Sequence, residues 1–533
     1  MSSFKEQAGA SYEPVLPFLR KEEWKRPDMP IGIMDRETHD LIEIDDLYYA
    51  LNYAQTEIGR LVLRRSLNSP IEDSTLIRAK QESLAELRAD PEIRSRFTQF
   101  VSQAAENEKL LLAYYRGDYG FRPFDHPNLY DAYNGSTRLL LHLARDLQDI
   151  HPQSDYLNFL LENFSQLGEK EIIQFIEGPV FRTPQGLKSR DEVGFFTPEM
   201  RFIPTDKKPV RLLLVGGPVA IIAAGVLSGN FDTEFTSLLC AWGYAGTTAP
   251  LVLTVLGRKI DDKLYGKPLA QMYFTNPEVV SALESLGDLD ELLSFAKYAD
   301  ALKVPTTLPT IDDASHHHFE AQGLRNPVLA KDNPSYIPND VDLNGSRLTF
   351  LTGPNSGGKT ALSKTILQSQ VLAQIGSYIP AQEASVSVAD GIFYHSPMVN
   401  SLRDTEGRFA VESTRTRDIF KKTTPKTIVI LDELIEATTH EAKLRHSKDI
   451  LEGFYAIGGN TILVTHNYEL AEQFQEMGVG QFWQVEFDGA EPTHRVIPGI
   501  STDSHSDEVL QRLGFTRDDI EKHLRKMGYK TGE

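Results

Sequence analysis

Apolar residues recur at three- and four-residue intervals in "LYYALNYAQTEIGRLVLRRSL" (47–67), "TRLLLHLARDLQDI" (137–150) and "VVSALESLGDLDELLSFAKYADAL" (279–302). That spacing lines one face of an α-helix. From about 320 the pattern changes. Short β-rich runs, "RLTFLTG" (347–353), "TIVILDE" (427–433) and "NTILVTH" (460–466), are each followed by helical sequence. Such alternation predicts a largely parallel sheet with helices on both faces. The chain thus divides into a polar lead-in (1–30), a mostly helical domain (31–320), an α/β domain (321–490) and a C-terminal helical segment (491–533). Between the two large parts, "KVPTTLPTIDD" (303–313) reads as a linker.

One stretch breaks the pattern. Leu212–Phe231 is a run of twenty uncharged residues, and Phe235–Gly257 is a second of twenty-three. Each is long enough to cross a bilayer as a helix. Lys207, Lys208 and Arg211 precede the pair, Arg258, Lys259 and Lys263 follow it, and the turn carries only Asp232 and Glu234. This charge pattern predicts a transmembrane hairpin over 211–257 with both soluble ends in the cytoplasm, anchored to the cytoplasmic membrane. The competing reading is a buried hairpin of a soluble domain, favoured by Pro218, Pro250 and the Thr/Ser/Gly content of the second run.

Composition narrows the classes. At 533 residues the chain needs more than one core. Its formal net charge of −20 argues against strong non-specific binding to nucleic acid, because phosphate contacts need Lys and Arg. The single cysteine, Cys240, cannot form an internal disulfide, as suits a reducing compartment. The first thirty residues lack an apolar core, so no cleavable signal peptide is expected. His316, His317 and His318 fall near the linker and read as a solvated loop.

The chemistry is concentrated in Gly353-Pro354-Asn355-Ser356-Gly357-Gly358-Lys359-Thr360, which fits the phosphate-binding loop G-x-x-x-x-G-K-[ST]. Its glycines let backbone N–H groups curl around phosphates, and the helix that follows points its positive end at them. Lys359 would reach the β- and γ-phosphates of ATP, and the Thr360 hydroxyl would ligate Mg²⁺. "TIVILDE" ends in an acidic pair: Asp432 would hold Mg²⁺ through water, and Glu433 would polarise the attacking water. His466, ending "ILVTH", is a candidate sensor of the γ-phosphate.

In order and spacing, "TGPNSGGKT" (352–360), "IGSYIPAQ" (375–382), "RFAVES" (408–413), "VILDELIEATTHEA" (429–442) and "LVTHNYEL" (463–470) resemble the ATPase of the MutS family. "TEIGRLVLRRSLNSPIED" (56–73) looks like the start of that family's core, or lever, domain. "SLGDLDELLSFAKYA" (285–299) looks like its returning lever helix, and "GLRNPVLA" (323–330) like the approach to the ATPase. The resemblance implies an α/β P-loop NTPase of the ABC-like MutS type, preceded by a mostly α-helical lever domain that here carries the apolar hairpin. It further implies that Tyr336 stacks on adenine, Ile337 contacts it by backbone and His494 closes its other face. Family ATPase domains pair, so a homodimer is implied, with the C-terminal segment aiding dimerisation and Glu412 in the stretch that completes the partner's site.

The sequence also departs from the family. A serine that reaches the partner's γ-phosphate is replaced in Gly407-Arg408-Phe409, leaving Arg408 as a candidate cationic contact. The family's Gly-rich stretch after the acidic pair reads Leu434-Ile435-Glu436-Ala437-Thr438-Thr439-His440, without its glycines. Lever-like sequence begins near Met34, which leaves no room for the family's mismatch-reading and connector domains, and Phe4-Lys5-Glu6 is a chance copy of its wedge triplet. The expected function is an ATPase hydrolysing ATP to ADP and phosphate, whose cycle moves the lever and whose ligand by family is DNA, branched or otherwise structured. The alternative is a membrane-tethered ATP switch acting on a protein partner. A transport-type ATPase is disfavoured by "IGSYIPAQ" and by the lack of a multi-span channel.

Overall fold

The computed structural model describes residues 31–112, 129–168, 262–333, 335–354, 357–396, 408–435, 439–488 and 491–501, most of 510–529, and short pieces at 15–16 and between 173 and 202. The helical part contains α1 (Arg36–Leu41), α2 (Ile44–Leu51), α3 (Glu57–Asn68), α4 (Ser74–Ala89), α5 (Pro91–Glu106), α6 (Leu129–Asp146), α7 (Asp155–Ser165), α8 (Lys267–Thr275) and α9 (Pro277–Ala301). A small antiparallel sheet sits within it, with β1 (Val180–Thr183) between β2 (Gly186–Lys188) and β3 (Met200–Phe202).

The helical periodicity over 47–67 is borne out, but as two helices. Asp290 on α9 accepts hydrogen bonds from the N–H of Gln55 (3.1 Å), the N–H of Thr56 (2.7 Å) and the Thr56 hydroxyl (2.7 Å). Thr56 itself caps α3 by accepting from Gly59 N–H at 2.9 Å. A carboxylate more than two hundred residues away therefore fixes the start of α3, while Ser294 on the same helix holds the end of α2, donating to Leu51 O at 2.7 Å and accepting Tyr53 N–H at 2.8 Å. α9 packs along α3 so closely that a Cβ on Gly287 would lie 2.6 Å from Val62 Cγ2. A buried ion pair, Lys80–Glu291 at 2.6 Å, joins α4 to α9.

The second part holds β4 (Thr310–Asp312), β5 (Phe319–Leu324), β6 (Asn339–Asp342), β7 (Leu348–Thr352), β8 (Glu383–Ser387), β9 (Gly391–His395), β10 (Thr427–Asp432), β11 (Asn460–Thr465), β12 (Gln481–Asp488) and β13 (Glu491–Pro498). Its helices are α10 (Lys359–Gln374), α11 (Arg408–Lys422), α12 (His440–Ile457) and α13 (Tyr468–Glu476), followed by α14 (Arg517–Lys526) near the end of the chain. The main sheet runs β13-β12-β7-β11-β10-β9 and is parallel except for the β12–β13 pair. All residues of β7 and β11 are buried, as expected of parallel strands covered on both faces. A second sheet, β4-β8-β5-β6, lies in the same part.

Two boundaries move. Residues 310–312, read as linker, form β4, which pairs with β8. Residues 491–498, read with the C-terminal helical segment, form the antiparallel edge strand β13.

The two parts grip each other around α10 and β9. Gln374 accepts Ile71 N–H through its backbone carbonyl (3.1 Å) and donates its side-chain amide to Ile71 O (2.9 Å). Gln368 donates to Ile42 O at 2.8 Å, and Lys364 pairs with Glu43 at 2.7 Å. Ile392 N–H on the β9 edge donates to Ile33 O at 2.9 Å. The helix after the phosphate loop is therefore buried among polar partners, and its glutamines are matched rather than exposed.

Among the described residues no helix is long and apolar enough to cross a membrane. Membrane anchoring is therefore corrected: it rested only on Leu212–Phe231 and Phe235–Gly257, which lie outside the described residues, and it is not retained. Phe4–Glu6 and Cys240 also lie outside them.

The histidine triplet is not a solvated loop throughout. His317 is buried; its Nδ1 accepts from the Asn460 amide at 2.9 Å, and its Nε2 faces Gln370 Oε1 at 3.3 Å. Burial pulls its pKa down to about 4. An unfolded histidine titrates near ~6.5, so between the two values the unfolded chain binds the extra proton. Stability held by neutral His317 is present above the unfolded value and is lost as pH falls from about 6.5 towards 4. Thermal midpoints measured across that window should fall with pH, and less steeply in His317→Gln; parallel curves would exclude His317 as a source of the slope.

Candidate functional site

Four adjacent parallel strands end on one edge of the main sheet. Thr352, which ends β7, is in register with Thr465, which ends β11; Val464 on β11 is in register with Asp432, and Leu431 on β10 with His395. In open α/β sheets, ligands bind in the crevice outside these carboxyl ends. The loop leaves β7 through Gly353 (φ 130°) and enters α10 through Gly358 (φ 89°), backbone conformations that favour glycine. A Cβ on Gly357 would come within 2.9 Å of Val485 Cγ1, and one on Gly358 within 3.3 Å of His494 Nδ1. Asn355 and Ser356 lie outside the described residues.

Lys359 is buried, and its ammonium donates to the carbonyls of Gly353 and, at 3.0 Å, Pro354. Burial pulls its pKa down to about 8, against the pull of Glu433 and Asp432. Thr360, the next residue, donates its hydroxyl to Asp432 Oδ2 at 3.3 Å. Glu433 Oε1 accepts the backbone N–H of His466 at 2.7 Å, and Oε2 accepts the Thr465 hydroxyl at 3.2 Å. Lys443, on α12, stands 3.7 Å from Glu433 Oε2. The His466 ring lies between charges, with Nε2 3.5 Å from Lys359 Nζ and 3.8 Å from Glu433 Oε1. Glu433 adopts a left-handed backbone (φ 57°), uncommon for a side-chain-bearing residue.

Lys359, Thr360, Asp432, Glu433 and His466 thus converge. The donor set of a threonine hydroxyl and a carboxylate suits a hard cation such as Mg²⁺, and the glycine cradle with its lysine suits a polyphosphate. Tyr336 and Ile337 are half-buried. Burial raises the pKa of the Tyr336 phenol. His494 is exposed, has a left-handed backbone (φ 59°) and is tied to the Tyr336 segment through its carbonyl, which accepts from the Asn339 amide at 3.0 Å. Glu412 is buried within the chain, 2% exposed, with its charge acting on His395. Arg408 starts α11; its side chain is outside the described set.

Sequence reading missed Tyr394, whose phenol donates to Asp432 Oδ2 at 2.8 Å. Burial, then the neighbouring Asp432 charge, raises its pKa. His395 was missed too. It is buried, with no hydrogen-bond partner on either ring nitrogen among the described residues, and burial, then Arg415, pulls its pKa down to about 4. The only available signal was their position at the end of an apolar strand, "GIFYH" (391–395), which marks a strand end without marking chemistry.

A family model for MutS domain V matches residues 349–514. A DNA mismatch repair protein MutS of Shouchella clausii is 32% identical over 240 residues, 44% of this chain and 27% of its own. A DNA mismatch repair protein msh3 of Aspergillus fumigatus is 33% identical over 217 residues, 40% of this chain and 19% of its own. A MutS of Prochlorococcus marinus is 32% identical over 257 residues, 46% of this chain and 28% of its own. The chain therefore spans no more than 28% of the length of any of these three curated relatives.

Proposed function

Because the chain belongs to the MutS family, we propose that it is an ATPase that hydrolyses ATP to ADP and phosphate and uses the cycle to move its helical domain against a DNA ligand. The observation that carries the reading is the convergence of Lys359, Thr360, Asp432, Glu433 and His466 at one sheet edge. In this reading the α/β part from β4 to β13 is the ATPase and the helical part before it is the lever. Backbone N–H groups of Gly353–Gly358 and the Lys359 ammonium hold the phosphates. Thr360 and Asp432 hold Mg²⁺, which when bound supplies charge neutralisation between the phosphates. Glu433 orients and polarises the attacking water, and His466 reads the γ-phosphate. Tyr336, Ile337 and His494 hold the adenine. Two copies pair through their ATPase domains, with Arg408 the candidate contact across the pair and the segment after β13 contributing.

DNA as the ligand is supported by the relatives, which are named as DNA mismatch repair proteins. A protein partner is the second reading, favoured by the net charge of −20. Titration of full-length protein with duplex and branched DNA at several salt concentrations, with and without ATP, separates them. A DNA ligand should give log K falling linearly with log salt, because Lys and Arg displace counterions from phosphate. Absence of binding even at low salt, in both nucleotide states, would move the reading to a protein partner.

A further inference from the structure

Tyr394 spends all three of its polar groups on contacts that join the nucleotide site to the helical domain. It is 1% exposed on β9, the edge strand of the main sheet. Its phenol donates to Asp432 Oδ2 at 2.8 Å, the same oxygen that takes the Thr360 hydroxyl at 3.3 Å. Its backbone N–H donates to Thr38 Oγ1 on α1 at 3.1 Å. Its carbonyl accepts from Arg415 Nη2 at 3.2 Å. Arg415, on α11, is held in turn by both carboxylate oxygens of Asp35, the residue that caps α1, and lies 3.1 Å from Glu37 Oε2.

Resting on the ATPase reading, we infer that Tyr394 is a positioning residue for the Mg²⁺-holding carboxylate of Asp432. Two donors on one oxygen fix the carboxylate's rotation. Oδ1 then takes no protein donor among the described residues and is the oxygen offered to the cation's water shell. Without the phenol, Asp432 keeps only the longer bond from Thr360, and Thr360 must also serve the cation. The carboxylate then has to be ordered by the metal itself, which weakens metal binding while leaving the phosphate loop intact. Because the Tyr394 backbone is bonded to Thr38 and Arg415, the same residue carries any shift of Asp432 to the cap of α1.

The test is binding of a fluorescent ADP analogue to full-length protein, first in EDTA and then along a Mg²⁺ titration. Tyr394→Phe keeps the ring and loses only the hydroxyl. It should bind the analogue in EDTA as the wild type does and keep a cooperative thermal transition, but need roughly ten- to hundredfold more Mg²⁺ for half-effect, the range set by one hydrogen bond to a charged acceptor. In an Asp432→Asn background the same substitution should change the Mg²⁺ requirement much less, because the group it positions is gone. An unchanged Mg²⁺ requirement in Tyr394→Phe overturns the inference, as does a loss that is equal in EDTA and in Mg²⁺ or equal in both backgrounds. A wild-type protein that binds no nucleotide in either condition sinks the ATPase reading itself, so the two failures are distinguishable.

Discussion

Glu433→Gln is expected to keep ATP bound and to slow steady-state hydrolysis by about 10²–10⁴-fold, the contribution of a positioned general base. The substitution preserves shape. A glutamine oxygen can still accept the His466 N–H that Glu433 Oε1 takes at 2.7 Å, so the turn between β10 and α12 keeps its tie to β11. The Glu433 backbone N–H continues to donate to Val464 O at 2.9 Å. What is lost is the negative charge, and with it the ability to draw a proton from water. Lys443, 3.7 Å away, and the His466 ring lose a counter-charge at the same time, which leaves the site more positive and does not weaken its hold on phosphate. The left-handed backbone of Glu433 points the same way: a non-glycine residue at φ 57° costs free energy, and such strain concentrates at functional positions. Phosphate release and retained nucleotide, measured on the same preparation, decide the matter. Normal turnover in Glu433→Gln removes this residue from the chemistry. If sites are shared between subunits, the same variant with ATP and Mg²⁺ should sediment as a stable dimer, and a strictly monomeric yet active wild-type enzyme would contradict that arrangement.

Those residues were legible because each sits where a local pattern ends. Apolar runs buried on both faces gave β7, β10 and β11, and the chemistry occupies the carboxyl end of β10, the residues just after β10 and β11, and the loop and helix start that follow β7. The glycines of the loop were legible for the same local reason. What escaped depends on residues far apart in sequence. Asp290 fixes the start of α3, and nothing near Thr56 announces it. β4 hides in a Thr/Pro-rich stretch because its pairing partner, β8, lies some seventy residues on. His317 is buried because Asn460 and Gln370 meet it, whereas its sequence neighbours suggest solvent. Tyr394 looks like any aromatic in an apolar strand until the β9–β10 register sets it beside Asp432. The apolar runs of 211–257, outside the described residues, read as membrane helices from their length and flanking charges, and no described helix supports that reading. Hydropathy without a packing partner does not separate a span from a covered hairpin.

Lys359→Ala is expected to raise the dissociation constant for ATP by about two orders of magnitude or more, since one charge-assisted hydrogen bond is worth ~1.5–3 kcal/mol and the ammonium offers several donors. This ammonium donates to the carbonyls of Gly353 and Pro354, so it also ties together the loop that would cradle the phosphates. Its removal acts twice. The phosphates lose their cation in a buried setting where charge is poorly screened, and the two carbonyls lose their donor, so the loop is no longer held in shape. Lys359→Met separates these effects from packing, because it fills the stem's volume without charge. Both variants should fail to retain nucleotide by equilibrium binding while keeping a cooperative thermal transition, since α10 is anchored independently by Gln368 and Gln374 to the helical domain. ATP binding by Lys359→Met at wild-type affinity would show that the phosphates are held elsewhere, and would take the strand-edge site out of the nucleotide reading altogether.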